Sequence, residues 1–351
     1  MKTTLLAGLL IAGLGTSLSA QIAFKLDTNV KSNYKIAHTL HIRGEQFWDY
    51  LSVDEGSNTL YVSHGTRVEV VDLKSFTLVD SIVNLNGVHG IAFAPEFNKG
   101  FITEGRDTTV TIFDLKTHAV QAKIKVGLGP DAIVYDKISK RIFTMNGHDN
   151  TITAIDAKSN TIAGTIKLDG RPEFCVADGT GKLYLNLEDK NEMEEIDASA
   201  MKILKHWSIS PGEEPSGLAM DTKNRKLFSV CSNKMMMVSD ADKGKVDTTI
   251  TIGYMPDAAA FDPEKNLVYS SNGDGTMTVI SEKNGSYTVL ENFRTQSRAR
   301  TIAINTKTHH LYIPVGVMKP LPPVRAGREK PKPGVKEGTF VVFDIEEKKK
   351  K

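Results

Sequence analysis

A segment of about 40 residues recurs seven times along this 351-residue chain. Each copy opens with a short apolar strand, turns, and continues into a second strand with an apolar–aromatic pair such as Leu60-Tyr61 or Leu227-Phe228. A third strand alternates and ends in Asp, as at Val110–Asp114, and a more polar fourth strand closes the copy. Four strands per repeat of this length is the period of a β-propeller blade. The repeat therefore predicts an all-β fold, a seven-bladed β-propeller with four-stranded blades.

The two ends of the repeat predict how the ring closes. The last copy has three recognisable strands, at residues 301–305, 309–314 and 339–344, and it lacks a fourth. An unmatched strand at residues 34–42 precedes the first copy and can supply the missing one. Joining the ends in this way hides an otherwise exposed sheet edge. We therefore expect a single propeller domain over residues 21–346, followed by a basic tail at residues 347–351.

The first 20 residues are typical of a secretory signal peptide. A positively charged start precedes an apolar run from Leu5 to Leu18, and small residues ending at Ala20 suit cleavage. The run is too short to span a membrane. We expect a monomeric periplasmic or secreted protein with no membrane span. Export would also place Cys175 and Cys231 in an oxidising compartment, which permits a disulfide without requiring one.

The charge balance argues against one class of partner. The chain has 44 basic and 42 acidic residues, which gives a formal charge of +2 at pH 7. Nucleic-acid-binding domains usually carry a basic face or stripe, and the sequence shows none outside one short loop. Nucleic acid is therefore an unlikely partner, and DNA binding is kept only as a remote alternative.

Several strands resemble those of a known family. The segments "LYVS", "LYLN", "VYSSN" and "LYIPV" each lead through a turn into an alternating strand. This pattern resembles the YVTN-repeat, or YncE-like, propeller family over residues 34–346. Stretches such as "DYLSVDEGSNTLYVSHG" and "RARTIAINTKTHHLYIP" are similar to an exported bacterial subgroup with no assigned reaction. The resemblance implies the propeller fold, and it implies no particular activity because propellers host unrelated functions.

Polar residues recur just before the first strand of each blade. These strands line the central channel of a propeller, so the residues at their starts should form a ring at one channel mouth. Successive members are 40 to 43 residues apart. The seven residues are Asp49, His89, Asp131, Glu173, Ser216, Asp257 and Arg300. Carboxylates held this close raise one another's pKa, and Arg300, a cation or water could offset their charge.

The loops that follow the second strands should return to the same mouth. They predict His64, Arg106, Glu188 and Asn233 as further ligand-binding residues, beside Asp49, His89, Asp131, Glu173, Asp257 and Arg300. The same positions also include Glu104, Asn146, His148, Asn186, Cys231, Asn272 and Asp274.

A divalent metal is a candidate cofactor at this mouth. His64 and His89 belong to adjacent blades and are the candidate imidazole ligands, with Asp49 and Asp131 beside them. Imidazole suits zinc, copper, iron or nickel. The sequence contains no short His-x-x-x-His spacing, so this hypothesis depends wholly on the fold.

The last copy contains a long insertion. Residues 315–338 hold five prolines and six basic residues between the second and third strands. Proline is excluded from central strands, so this segment should be a loop on the mouth side. Loops of this length are either functional or disordered. We therefore consider two interpretations: a basic lid or docking arm, and a disordered insertion.

The sequence leaves the function open between two classes. The first is a propeller that binds a small ligand or a protein partner at the mouth, which is favoured because no nucleophile–base–acid trio stands out. The alternative is a lactonase-like hydrolase or lyase, with or without a metal. It would use His89 as general base, Glu173 or Asp131 as its partner, and Arg300 to hold an anionic group. A water-filled polar channel without any ligand also fits the same ring.

Overall fold

Seven four-stranded antiparallel sheets are arranged in a ring, as the repeat predicts. The computed structural model describes residues 32–44, 46–320 and 334–349, and Ser32–Lys351 forms one compact unit. The expected signal peptide, residues 1–20, lies outside the described residues. Within the described ranges, no helix is long and apolar enough to cross a membrane. Each sheet is one blade of a seven-bladed β-propeller.

The strands follow one another in blade order, except for the first. Strand β1 is Tyr34–His41. Blade 1 contains β2 (Trp48–Asp54), β3 (Thr59–His64), β4 (Arg67–Asp72) and β5 (Thr77–Ile82). Blade 2 contains β6 (Val88–Ala94), a short 3-10 helix (Pro95–Phe97), β7 (Lys99–Glu104), β8 (Thr109–Asp114) and β9 (Val120–Lys125). Blade 3 contains β10 (Pro130–Asp136), β11 (Arg141–Asn146), β12 (Thr151–Asp156) and β13 (Thr161–Lys167).

The remaining four blades repeat this order. Blade 4 contains β14 (Pro172–Ala177), β15 (Lys182–Leu187), β16 (Glu192–Asp197) and β17 (Lys202–Ser208). Blade 5 contains β18 (Pro215–Asp221), β19 (Lys226–Cys231), β20 (Met235–Asp240) and β21 (Lys245–Thr251). Blade 6 contains β22 (Pro256–Asp262), β23 (Leu267–Asn272), β24 (Thr276–Lys283) and β25 (Ser286–Arg294). Blade 7 contains β26 (Ala303–Asn305), β27 (His310–Val315) and β28 (Val341–Glu347), together with β1.

Strand β1 closes the ring, and this confirms the prediction made from the incomplete last repeat. The strand order of blade 7 is β1-β28-β27-β26, so the N-terminal strand is the outermost. It pairs antiparallel with β28, from Tyr34 opposite Glu347 to His41 opposite Val341. The pairing covers the edge of β28, which would otherwise be free to pair with another chain.

The hydrophobic core lies between the faces of neighbouring blades. Between blades 1 and 2, for example, Tyr61 packs with Ile102 and Phe113, and all three are fully buried. Burial of such a side chain contributes about 1.5–3 kcal/mol. The alternating strand pattern in the sequence arises because each blade presents apolar side chains to both of its neighbours.

The two cysteines are both buried, and neither is in a disulfide. Cys175 packs in a core cluster with residues of blades 3 and 4, whereas Cys231 packs in another with residues of blades 4 and 5. Each thiol therefore fills space in its own core cluster.

The start of each inner strand is irregular in six of the seven blades. The register with the second strand shifts after the first residue of β2, β6, β10, β14, β18 and β22. In β2 the shift lies between Trp48 and Leu51. A bulge of this kind re-aims the side chains within it. The second residue of each of these strands, which is the polar residue singled out in the sequence, lies inside the bulge.

Candidate ligand site at the channel mouth

The predicted ring residues occupy equivalent places in the fold. In blades 1 to 6 each inner strand starts earlier than the sequence pattern predicted, so these residues lie within the strands and not just before them. The second residue of the inner strand in these six blades is, in order, Asp49, His89, Asp131, Glu173, Ser216 and Asp257. Arg300 precedes the short strand β26. The structure brings the blade 1, 2, 3, 6 and 7 members into direct contact, as described next.

His89 lies between two carboxylates from the adjacent blades. Its Nδ1 is 2.6 Å from Oδ2 of Asp49 and 3.4 Å from Oδ1 of Asp131. The other side of the ring packs against Gly105, where an added Cβ would lie 2.9 Å from Nε2. The imidazole is therefore held by the neighbouring blades on one side and by the loop after β7 on the other.

The charged side chains in this group shift one another's pKa values. Burial acts to lower the pKa of His89, but the carboxylates of Asp131 and Asp49 outweigh it and raise that pKa to about 9. Burial raises the pKa of Asp131 to about 6, against the attraction of the His89 cation. His89 is therefore an imidazolium at neutral pH, which is the form of a proton donor and not of the general base that the enzyme hypothesis assigned to it.

Arg300 supplies the second positive charge at the mouth. Its Nε lies 3.1 Å from Oδ2 of Asp257, and its Nη2 lies 3.8 Å from Oδ1 of Asp49. Asp257 is the strongest of the influences that raise the pKa of Arg300. The guanidinium also lies over the ring of Phe47, 5.5 Å from its centre, in a cation–π contact. Arg300 is thus paired closely with Asp257 and more distantly with Asp49.

Two aromatic side chains meet across the channel just inside this ring. Tyr50 and Phe174 each follow a ring residue, and their ring centres are 5.5 Å apart. They come from inner strands of blades 1 and 4, which are not neighbours, so the contact narrows the channel. Sequence reasoning missed Tyr50 because a strand tyrosine in a repeat looks like a core residue.

The carboxylates of the ring also affect the pKa of the Tyr50 hydroxyl. Burial raises its pKa well above the usual value, and the negative charges of four ring residues raise it further. Those residues are Asp131, Glu173, Asp49 and Asp257. Tyr50 therefore stays a neutral hydroxyl at neutral pH and can act as a hydrogen-bond donor at the floor of the mouth.

A cavity of about 590 Å³ opens at the mouth, lined by residues of blades 4 to 7 and by the start of blade 1. Its acidic lining residues are Glu173, Glu188, Glu214 and Asp257, and its basic ones are Arg298 and Arg300. Its apolar lining includes Phe47, Trp48, Tyr254, Met255 and Met318. Four acidic and two basic groups leave a formal excess of two negative charges on the wall. The volume lies in the range of small-molecule sites.

Two carboxyls at this cavity lack a positive partner in the described part of the chain, the exposed Glu214 and the less exposed Glu173. Arg300 pairs with Asp257, and Arg171 pairs with Glu188, whereas no hydrogen bond or ion pair joins the Glu173 carboxyl to any described residue. Burial raises the pKa of Glu173 well above its usual value, and the nearby carboxylates of Asp131, Glu188, Asp257 and Asp49 raise it further. No positively charged side chain among the described residues therefore balances the Glu173 carboxyl.

His64 does not join His89. It is fully buried, its Nδ1 lies 2.9 Å from Oε1 of Glu69, and its ring centre is 4.7 Å from that of Phe340. Among the described residues, the group spaced to hold a metal consists of Asp49, His89 and Asp131. The two histidines paired in the sequence analysis thus have separate environments, and His64 has a structural one.

Other residues from the loops after the second strands differ in their placement. Glu188 lines the cavity and pairs with Arg171. Arg106 is exposed and its side chain covers Gly87, while Asn233 donates from Nδ2 to the carbonyl of Pro211 at 2.7 Å and so fixes a loop.

The residues that end the second strands point into their own blades. Asn146 donates from Nδ2 to Thr151 and Thr153, and Asn272 donates in the same way to Thr276 and Thr278. Glu104 also accepts a hydrogen bond from Thr111. These side chains hold strands together and do not reach the mouth cavity.

The base of the insertion in blade 7 lies at the mouth, where the sequence places it. Met318 lines the cavity and forms an isolated antiparallel bridge with Val335. The bridge is extended by a 2.7 Å hydrogen bond from Lys319 N to Gly334 O. Residues 321–333, which carry most of the prolines and basic residues of the predicted lid, lie outside the described residues.

Comparison with known proteins defines the class of the molecule by its fold. No family model matches the chain, and no curated protein matches it in sequence. In contrast, 1849 chains of solved structures match it. A fold shared so widely identifies an architecture and not an activity.

Two solved structures show how close the likeness is. Hydrazine synthase from Kuenenia stuttgartiensis has a TM-score of 0.67 at 14% identity, over 83% of this chain and 95% of that chain. A chain of the mitotic checkpoint complex has a TM-score of 0.71 at 14% identity, over 89% of this chain and 96% of that chain. These likenesses support a WD40-like β-propeller fold and nothing further. The chain is thus a seven-bladed β-propeller with a polar cavity at one channel mouth.

Proposed function

We propose that this chain is an exported β-propeller of the YVTN-repeat, YncE-like kind that binds a small organic cation at its channel mouth. The ligand would carry an ammonium or similar group on an apolar body. Export and family membership are supported by the N-terminal apolar run and by the repeated "LYVS"-like strands. The choice of ligand is supported by the chemistry of the cavity wall.

The unpaired carboxyl of Glu173 is the observation that carries the proposal. It lines a cavity of about 590 Å³ whose wall has more acidic than basic groups. A cation beside Glu173 would favour its ionised form and relieve its repulsion from Asp131 and Asp257. An anion would meet the acidic excess of this wall, where Arg300 is already paired with Asp257 and Asp49 and the exposed Arg298 is the other basic group.

The apolar part of the wall suits an apolar body. Phe47 stacks on Trp48 with ring centres 5.3 Å apart, and Trp48 stacks on Phe340 at 5.2 Å, so this part of the wall is rigid. Tyr254 and Met255 line the same cavity and are each about half exposed, at 51% and 52%. Aromatic surface with a few convergent polar groups is the usual composition of a small-molecule site.

Tryptophan fluorescence can test the proposal because Trp48 lines the cavity. A Trp207→Phe background leaves Trp48 as the single tryptophan. We expect phenethylammonium to change its emission in a saturable way, and we expect the uncharged phenethyl alcohol and the anionic 3-phenylpropionate to bind at least tenfold more weakly. Glu173→Gln should weaken phenethylammonium about tenfold, as expected for loss of one charged contact.

The matched control is Asp169→Asn, which changes an exposed carboxylate in the connection between β13 and β14 that does not line the cavity. This variant should bind phenethylammonium as the parent does. The proposal fails if the neutral or anionic probe binds as tightly as the cation, or if Glu173→Gln retains the parent affinity.

A lactonase-like hydrolase or lyase is the second candidate, because His89 is held between two carboxylates at the mouth. With a pKa of about 9, His89 would serve as a proton donor, and Tyr50 as a hydrogen-bond donor to a developing oxyanion. Turnover of a panel of small lactones by the parent and its loss in His89→Gln would support this candidate. Absence of turnover in the parent would remove it.

A protein is the remaining alternative as the binding partner of the channel mouth. One of the similar solved structures is of a protein complex, and exposed Tyr254, Met255 and Val317 could form part of an interface. In the fluorescence experiment, a protein-binding mouth would give no selective response to the cationic probe.

A further inference from the structure

Three side chains on the other half of the mouth form a compact donor set. Asp49, His89 and Asp131 come from the inner strands of blades 1, 2 and 3, and none of them lines the cavity described above. One ligand atom from each lies within 4.8 Å of the other two. Among the described residues, this is the one group of three or more His, Cys, Asp and Glu side chains that meets this spacing.

The distances within this group suit a shared metal ion. Nδ1 of His89 is 2.6 Å from Asp49 Oδ2 and 3.4 Å from Asp131 Oδ1. An ion bound at about 2.0–2.2 Å from each ligand holds those ligands roughly 3.0–3.5 Å apart. The His89–Asp131 distance already falls in this range, and the shorter His89–Asp49 contact would lengthen to admit an ion in place of the proton on Nδ1.

One oxygen of the Asp131 carboxylate has coordinating capacity that no hydrogen bond from a described residue uses. Its Oδ1 is a buried atom, and no described residue completes a hydrogen bond to it. Buried carboxylate oxygens are normally satisfied, so each exception calls for a partner. This unsatisfied oxygen is the one that faces Nδ1 of His89.

The surroundings of the group would hold the ligands in place. The backbone N–H of Asp49 donates to Ser63 Oγ at 3.0 Å, and the carbonyl of Asp131 accepts from Thr103 Oγ1 at 2.6 Å. The His89 ring is confined by Gly105. Arg300 is the nearby cation, and its closer pairing with Asp257 leaves Asp49 available to an ion. A metal site needs this kind of outer support.

We propose that Asp49, His89 and Asp131 bind one divalent transition-metal ion at the channel mouth. One imidazole and two carboxylates suit Mn²⁺, Fe²⁺, Co²⁺ or Zn²⁺. Three protein ligands leave coordination positions open for water or another molecule. The site does not depend on the proposed organic cation, because that ligand is assigned to a cavity lined by other residues.

Cobalt is a suitable probe because its visible spectrum reports its ligands. The mature full-length chain, freed of metal with a chelator, would be titrated with Co²⁺ and followed by calorimetry and visible absorption. We expect one site per chain. Asp131→Asn and His89→Gln should each weaken the binding at this site at least tenfold, and His89→Gln should also change the spectrum through loss of a nitrogen ligand.

Glu173→Gln is the matched control, since it removes the equivalent carboxyl of the next blade without removing a proposed ligand. Its Co²⁺ affinity should stay within about threefold of the parent, while its affinity for phenethylammonium falls. The two proposals can therefore fail separately. Thermal unfolding of each variant would show that it is folded. Absence of binding in the parent, or equal affinity in the parent and in both ligand variants, would overturn the metal site.

Discussion

Nδ1 of His310 on β27 lies 2.6 Å from Oδ1 of Asp344 on β28, within the blade that closes the ring. The other oxygen of the same carboxylate lies 2.8 Å from Nδ1 of His38 on β1. Asp344 is itself almost fully buried. One carboxylate therefore connects the N-terminal closing strand to both of the last two strands of the chain.

This pairing predicts a pH-dependent contribution to stability. The hydrogen bond to Asp344 raises the pKa of His310 above the ordinary value near 6.5, although burial opposes the shift. A histidine with a raised pKa in the folded state stabilises fully below its unfolded value, and the contribution is lost as the pH rises through the folded value. His310→Asn should therefore cost about 1 kcal/mol at pH 6 and progressively less above it.

Urea unfolding of the parent and of His310→Asn at several pH values would measure this difference. The exposed His206, on an outer strand, provides the matched control as His206→Asn. A destabilisation by His310→Asn that stays constant or grows between pH 6 and pH 9 would contradict the assignment.

Removal of Arg300 should destabilise the fold, and the pH dependence of this cost should be opposite to that of His310→Asn. Burial raises the pKa of Asp257, and Arg300 counteracts that increase. Without Arg300, Asp257 would take up a proton at a higher pH, so the stabilisation by Arg300 exists only where Asp257 is ionised. Because the Arg300 side chain is 39% exposed, we expect Arg300→Gln to cost only about 1 kcal/mol near pH 7, and less near pH 4.

The exposed Arg298, two residues away, gives the control variant Arg298→Gln, which should change the free energy of unfolding by less than about 0.5 kcal/mol. Denaturant titrations at pH 4 and pH 7 would check both variants. A larger effect of Arg300→Gln at pH 4 than at pH 7 would show that the charge pairing is not the cause.

Gly217 should tolerate no side chain. It lies in the bulge of β18, and a Cβ there would lie 2.3 Å from the Cα of Ala258 in the next inner strand. This contact is with backbone, which cannot rotate away. Gly217→Ala should therefore destabilise the protein by about 1–3 kcal/mol. Gly147→Ala, where the nearest atom would be 3.6 Å away, should be close to neutral. A shift in the midpoint of thermal unfolding for both, or for neither, would argue against this packing.

Both cysteines should be unreactive in the folded protein. Burial raises the pKa of Cys231 to about 12 and that of Cys175 higher still, so almost no thiolate is present at neutral pH. An aromatic disulfide reagent should therefore titrate no thiols in the native chain and two in denaturant. Rapid native reaction, or fewer than two thiols after unfolding without reductant, would disagree with two buried free cysteines.

The fold could be predicted from the sequence because its repeat is long and its strand signals are local. The seven copies gave the blade number, and the orphan segment at residues 34–42 gave the closure. The ring of Asp49, His89, Asp131, Asp257 and Arg300 followed from position alone, since equivalent residues of a closed repeat must converge. The observed contacts among these five residues agree with that reasoning.

Details that depend on side-chain direction could not be predicted in this way. His64 and Asn146 end second strands near the mouth, but their side chains point into the blade, and no sequence pattern gives that direction. The bulges that aim the ring residues have no sequence signature here apart from proline at four of the starts. Tyr50 and Phe174 were missed because contacts between non-adjacent blades do not follow from a repeat.

The closing strand also affects when the ring can form. β1 lies near the beginning of the chain and its partner, β28, near the end. During synthesis from the ribosome, the first six blades can assemble, but the outermost strand of the seventh has nothing to pair with until residues 341–347 emerge. The circle therefore stays open until β28 has been made, and truncation of the chain before Val341 should leave a ring that never closes.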